Sequence, residues 1–175
     1  MGDAEVSISQ INYHFGTKEL LLRAMFEKNI SGSNRERLRM IGELEERKSQ
    51  PSVEEILFAY LEPVHQFGRD GRPDDFIRLL GRIGSDNSKM ARNIIAEFLD
   101  PIHARFLTAL RRVLPAGSEE DLYWRLHILI GVMVHTVVNP DRIVHLSGGL
   151  CNPRDKQATL SHLVPALAAA LRAEA

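Results

Sequence analysis

The chain is short of the residues that staple or metallate small proteins: among 175 residues there is one cysteine, Cys151. A single thiol closes no internal disulfide and builds no multi-cysteine zinc site, so a reducing compartment, the cytoplasm, is the expected setting. Charge of one sign is also lacking. Lysine and arginine number 22 against 23 aspartate and glutamate, a formal net charge of −1. That excludes a protein that coats nucleic acid by bulk positive charge, and an acidic tail protein, but not a local DNA-reading surface. Long hydrophobic runs are absent as well. The longest, residues 126–138, is interrupted by His127 and His135 and falls short of the roughly 20 apolar residues that cross a bilayer. Met1-Gly2-Asp3-Ala4-Glu5 has no basic-then-apolar leader pattern, so no membrane association is expected. Signatures of catalysis are missing too: there is no His-Glu-x-x-His, no Gly-x-Ser-x-Gly and no phosphate loop. Ser147-Gly148-Gly149-Leu150-Cys151 is glycine-rich but follows no strand, and reads as a flexible loop. No catalytic residue, cofactor or metal is expected, and the chain does not read as an enzyme.

Strand signals are equally scarce, the one Asp-Gly pair, Asp70-Gly71, lying between stretches of helical spacing. What is present is 44% apolar and 26% charged side chains, arranged as a train of amphipathic helices. The spacing predicts a short helix over 7–14, with Ser7 as cap and Gly16 as stop. A second begins after Thr17, carries Leu21, Leu22, Met25, Phe26 and Ile30, and runs to Arg47 past a weak point at Ser31-Gly32-Ser33. Ser52-Val53-Glu54-Glu55 reads as a capping box, opening a helix that ends at Gly68. A short helix with Phe76, Leu79, Leu80 and Ile83 follows. Ser85 or Asn87 then opens a long one to Leu114, kinked at Pro101. Ser118 starts a helix to Val138 that is apolar nearly all round, and therefore buried centrally or in a subunit interface. Residues 139–152 are expected to be a loop, with Pro153 opening the last helix. The fold class is all-α.

Residues 4–21, Ala-Glu-Val-Ser-Ile-Ser-Gln-Ile-Asn-Tyr-His-Phe-Gly-Thr-Lys-Glu-Leu-Leu, resemble the signature of the tetracycline-repressor (TetR) family of bacterial transcriptional regulators. The matching elements are Val6-Ser7, Tyr13-His14-Phe15-Gly16 and Lys18-Glu19-Leu20-Leu21. The resemblance implies a recognition helix over 7–14 that enters the major groove of a palindromic operator. Ile8, Ser9, Gln10 and Asn12 would face base edges: the amides can hydrogen-bond adenine, and Ile8 can touch a thymine methyl. Tyr13, His14 and Lys18 match family positions that hold phosphates, and Ser7 and Thr17 sit where helix starts present donors to phosphate. Ile11 and Phe15 would be the hydrophobic foot. Family members carry two further helices before this signature, whereas only Met1–Glu5 precede its first residues here. The expectation is therefore a portion of a longer protein rather than a truncated one.

From Ser52 onward the chain is similar to the effector-binding and dimerisation domain of the same family. Phe98-Leu99-Asp100-Pro101 through Trp124-Arg125-Leu126 resembles its fatty-acid- and acyl-CoA-responsive branch. The expected division is 1–47, a partial helix-turn-helix domain with its connecting helix, and 48–175, a ligand-binding and dimerisation domain. The last two helices have more apolar surface than one small domain covers, which predicts an isologous homodimer. A pocket for a small hydrophobic effector is expected among Tyr60, Val64, Phe76, Leu80, Phe98, Ile102, Phe106, Trp124 and Ile128, with His65 and His103 as polar anchors. His127, Gly131 and His135 share one helical stripe. They line either that pocket or a close helix–helix contact. Two rival readings remain at this level: a dimeric ligand- or partner-binding module without DNA activity, and a small helical enzyme.

Overall fold

The computed structural model describes residues 17–47, 50–66, 75–115 and 117–173. The expected recognition helix, with Ser7, Ile8, Ser9, Gln10, Asn12, Tyr13 and His14, lies outside the described residues. Those that are described form seven α-helices and a 3-10 turn, with no strand among them. The all-α expectation holds.

Helix α1 spans Lys18–Arg47. Thr17 Oγ1 accepts the Leu20 N–H at 3.2 Å, Glu19 lies in the first turn and Arg47 in the last, each favourable to the helix dipole. Pairs one turn apart, Glu19–Arg23 at 3.1 Å and Glu43–Arg47 at 2.5 Å, support its surface. The helix runs through Ser31-Gly32-Ser33 without a break. Helix α2, Val53–Leu61, opens on the predicted capping box, with the Glu55 N–H donated to Ser52 Oγ at 3.2 Å and the Ser52 N–H to Glu55 Oε2 at 2.9 Å. It stops at Leu61 rather than at Gly68. Pro63 has no N–H to continue the ladder, and the chain tightens into a 3-10 turn, Glu62–Gln66.

Helix α3 covers Asp75–Gly84 and α4 covers Lys89–Arg111. The cap of α4 is Ser88, which accepts the Ala91 N–H at 3.2 Å, not Ser85 or Asn87. Ser85 is occupied in closing α3, its hydroxyl donating to the Gly81 carbonyl at 3.0 Å. At the far end the Arg112 N–H reaches back to Ala109, so α4 ends before Leu114. The helix continues through Pro101, whose ring is exposed. Helix α5, Glu119–Val138, is capped by Ser118 as expected. Residues 139–152 are not a plain loop. They contain α6, Pro140–Leu146, with proline in its first turn. Gly148 and Gly149 close it at φ +61° and +89°, the Gly149 N–H bonding the Val144 carbonyl at 2.9 Å. The glycine-rich stretch is thus a helix terminus that needs left-handed backbone. Helix α7, Lys156–Arg172, is capped by Asp155, whose carboxylate accepts the Ala158 N–H at 3.0 Å. Pro153 belongs to the turn before it, where the Asp155 N–H bonds the Asn152 carbonyl.

Two hydrophobic cores result. Leu22, Phe26 and Ile30 of α1 pack with Phe76 and Ile83 of α3 and Ala91 and Ile94 of α4. The second, larger core gathers Ile41 of α1, α2, the later half of α4, and the inner faces of α5 and α7. Helix α1 runs through both. Helix α3 also presses on the end of α5, where a Cβ at Gly81 would come within 2.9 Å of Val138 Cγ1. Ion pairs clamp the elements from outside. Arg172 grips Glu54 through two 2.6 Å bonds, joining α7 to α2, and Glu45 takes both Arg105 and Arg112 of α4 and the residue after it.

Phe26 is fully buried and meets Phe76 edge-on at 5.5 Å. Phe26→Ala is expected to destabilise the fold by about 3–5 kcal/mol, and Ser52→Ala, which breaks the capping box, by about 1 kcal/mol. Urea unfolding midpoints of the two variants against the parent protein measure both.

Candidate functional site

Between the two cores, α1 carries polar residues on the side that faces the protein. Ser33 donates to the Pro63 carbonyl at 3.4 Å and Asn34 to the Phe98 carbonyl at 2.6 Å. Arg37, one turn further on, is only 2% exposed. Its Nε donates to the Tyr60 carbonyl at 2.8 Å, one terminal nitrogen donates to Asn34 Oδ1 at 3.0 Å, and the other lies 3.6 Å from Met133 Sδ. The guanidinium carbon sits 4.4 Å from the centre of the Tyr60 ring, a cation–π arrangement. Arg37 therefore touches α1, α2 and α5 at once. No carboxylate pairs with it among the described residues.

The neighbours of that cation are neutral. Tyr60 is fully buried, and its hydroxyl has no hydrogen-bond partner. Burial raises the Tyr60 pKa and the facing Arg37 charge only partly offsets this. The His103 ring of α4 lies 6.2 Å from the Tyr60 ring, and Phe106 packs closer at 4.2 Å. Burial first, then the Arg37 charge, pushes the His103 pKa down to about 4, with Asp100 pulling the other way. Desolvation also lowers the pKa of Arg37, but a guanidinium starts so high that it stays charged at neutral pH. The result is one buried positive charge, one orphan hydroxyl and one neutral imidazole, beside Phe106 and Met133. Such a cluster is electropositive and attracts anions.

The residues expected from sequence to form one pocket fall into three places. Tyr60, Val64, Ile102 and Phe106 belong to the larger core, with His103 half-buried at its edge. Phe76, Leu80 and Phe98 belong to the smaller one. Trp124, His127, Ile128 and His135 are exposed on α5, Trp124 at 60% and Ile128 at 53%. The Trp124 and His127 rings meet edge-on at 6.0 Å. Gly131, between His127 and His135, has open space where a Cβ would stand. It makes no close helix contact among the described residues. The His65 side chain lies outside the described residues. Thr17 and Lys18 are exposed at the start of α1, where phosphate contacts would require them.

Sequence reasoning missed Arg37, Asn34 and Met133. The signal was available: Leu22, Phe26, Ile30 and Ile41 mark one stripe of α1, and Arg37 stands on it one turn before Ile41. A long basic side chain on a core stripe is a departure from amphipathic patterning. A separate open groove of about 500 Å³ lies outside the cores between α1, α2 and α7, floored by Met40, Leu44, Phe58 and Val164 and rimmed by Arg39 and Glu43. None of the expected pocket residues lines it. Cys151 is free and exposed.

Compared with known proteins, residues 58–170 match the family described as Tetracyclin repressor-like, C-terminal domain. That span runs from α2 through nearly all of α7. No curated protein matches the chain.

A histidine held near pKa 4 in the folded state, against about 6.5 unfolded, contributes stability in full above pH 6.5 and loses it progressively as pH falls toward 4. We expect the parent protein to lose roughly 2–3 kcal/mol over that window from this residue. His103→Gln should flatten the slope between pH 6.5 and 5 when stability is measured by urea unfolding at each pH.

Proposed function

The chain belongs to the tetracycline-repressor-like regulators by its C-terminal domain, and on that premise we propose that it is a dimeric DNA-binding transcriptional regulator, a repressor released from a palindromic operator by a small hydrophobic effector. The observation that carries this reading is α1. It starts at Lys18, inside the signature that resembles the family's DNA-binding motif, and runs 30 residues without interruption into both cores. A rigid helix of this kind transmits a displacement from the effector domain to the segment ahead of it. The effector prefers the arrangement in which the recognition helices are misplaced, and lowers operator affinity by its differential affinity for the two states. The fatty-acid-responsive branch is the finer assignment within this reading, and the cytoplasm its setting.

Homodimerisation through α5 and α7 is part of the same proposal. Tyr123, Trp124, His127, Ile128, Gly131 and His135 leave a face of α5 exposed, and Pro165, Ala166, Ala169 and Ala170 leave a face of small residues exposed on α7. The helices pack on each other and are tied by Arg125, which donates to the carbonyls of Leu171 and Ala173 at 2.6 and 2.7 Å. An isologous contact would bury about 800 Å² per partner and set two recognition helices one turn of DNA apart.

Gel retardation of DNA fragments flanking the gene tests the reading. Lys18→Ala and Tyr13→Ala should each weaken retardation by about tenfold, and Lys18→Ala should lower the salt slope by about one. No retardation of any fragment by the parent protein would refute DNA binding. Ile128→Glu should convert the dimer to a monomer in sedimentation equilibrium and abolish retardation with it.

A further inference from the structure

We propose that pairing of this protein is sensitive to pH: protonation of His127, His135 and His162, which lie on the face that a second copy covers, splits the dimer as pH falls below about 6.5. The inference rests on the homodimer reading above and adds the regulation of that contact.

The first ground is what the face lacks. The chain is 26% charged, yet between Leu122 and Val138 of α5 the only charged residue is Arg125, and between Gln157 and Leu171 of α7 there is none. Arg125 is engaged with the Leu171 and Ala173 carbonyls. A helix face meant for water carries charged side chains. Here α5 exposes Tyr123, Trp124, His127, Ile128, Gly131 and His135, and α7 exposes His162 on the same side as Pro165, Ala166 and Ala169. A two-fold contact sets a face against its own copy, where a fixed charge near the axis meets its like. A face without fixed charge meets that condition, which argues for a second copy as its occupant. The side chains are also matched in size, large on α5 and small on α7.

The second ground is what the face keeps. Its groups that titrate near neutrality are all imidazoles. A histidine in water titrates near pH 6.5, and its cation is costly to bury without a counter-charge. The acids at the margins hold other partners. Glu119 pairs with Arg111, Glu54 with Arg172, Glu62 with Lys156 and Asp141 with Arg154. Asp121 accepts from Ser118, Asp155 from the Ala158 N–H, and Glu55 closes the capping box of α2. Glu120 stands in the first turn of α5, two turns before His127. Arg78 and Arg82 are exposed on α3, which presses on the Val138 end of α5, and Arg142 and His145 are exposed on α6 beyond it. Those cations oppose a charged His135 further. Arg37 meets α5 at Met133, on its buried side. Covering the face with a second copy therefore favours neutral imidazole, so association is strongest above pH 6.5 and weakens below it. By symmetry each histidine counts twice, once per copy. One such pair held neutral weakens the dimer about a hundredfold between pH 7.5 and 5.5.

Sedimentation equilibrium of the full chain at pH 7.5 and 5.5, at constant ionic strength, tests this. The dimer dissociation constant of the parent protein should rise a hundredfold or more. Combining His127→Gln, His135→Gln and His162→Gln should give a dimer of equal affinity at both pH values. Glutamine keeps a polar side chain without the titration, and all three positions are exposed in the single chain, so this variant should fold. His103→Gln, beside Tyr60, should leave the pH dependence of association intact, which separates the switch from loss of fold stability in acid. Equal affinity of the parent dimer at both pH values, or a triple variant that still dissociates as the parent does, overturns the switch and leaves the dimer standing. A parent protein that is monomeric at pH 7.5 overturns the dimer reading and the switch together.

Discussion

A single buried cation sets the terms on which this helical protein packs. Arg37 stands on a helix stripe whose other buried residues are apolar, and its side chain is out of water. Once there, its donors must be met, and they are met by groups from three helices: the Tyr60 carbonyl of α2, Asn34 of α1 itself, and Met133 of α5. The geometry of those partners fixes the axial position and rotation of α1 against the rest.

This polar layer also explains why there are two cores rather than one. Ser33, Asn34 and Arg37 interrupt the apolar stripe of α1 for about two turns, and the interruption falls where the Glu62–Gln66 turn and the middle of α4 pass. Asn34 secures the Phe98 carbonyl three residues before Pro101, in the part of α4 where the proline has removed a donor from the ladder. The first core holds the Lys18 end of α1, and the second holds its later half against α2, α4, α5 and α7. Helix α1 is the element common to both cores.

Local features were legible from sequence in proportion to how local their physics is. The capping box at Ser52 and Glu55, the cap at Ser118 and the start of α1 at Thr17 depend on side chains reaching backbone three residues away, and each stands as read. Boundaries went astray where a proline or serine had two competing uses. Pro63 ended α2 early, Ser85 closed α3 instead of opening α4, and Pro140 began a helix within a stretch rich in loop formers. The candidate site was legible only in part. Tyr60, His103 and Phe106 do lie together, whereas Trp124, His127 and Ile128 face outward. Helical periodicity identifies residues that share a face but carries no information on what that face meets.

What the amino-acid order determined by itself is the helical class and the starts of α1, α2 and α5, because each depends on neighbours within a turn or two. Tertiary structure alone decided that α1 threads two cores, that Arg37 is buried beside an unpaired Tyr60 hydroxyl, and that the apolar helix α5 keeps one side exposed. Those outcomes follow from contacts between residues far apart in the chain, Arg37 with Met133 or Glu54 with Arg172. Such contacts exist only once the helices have found their partners.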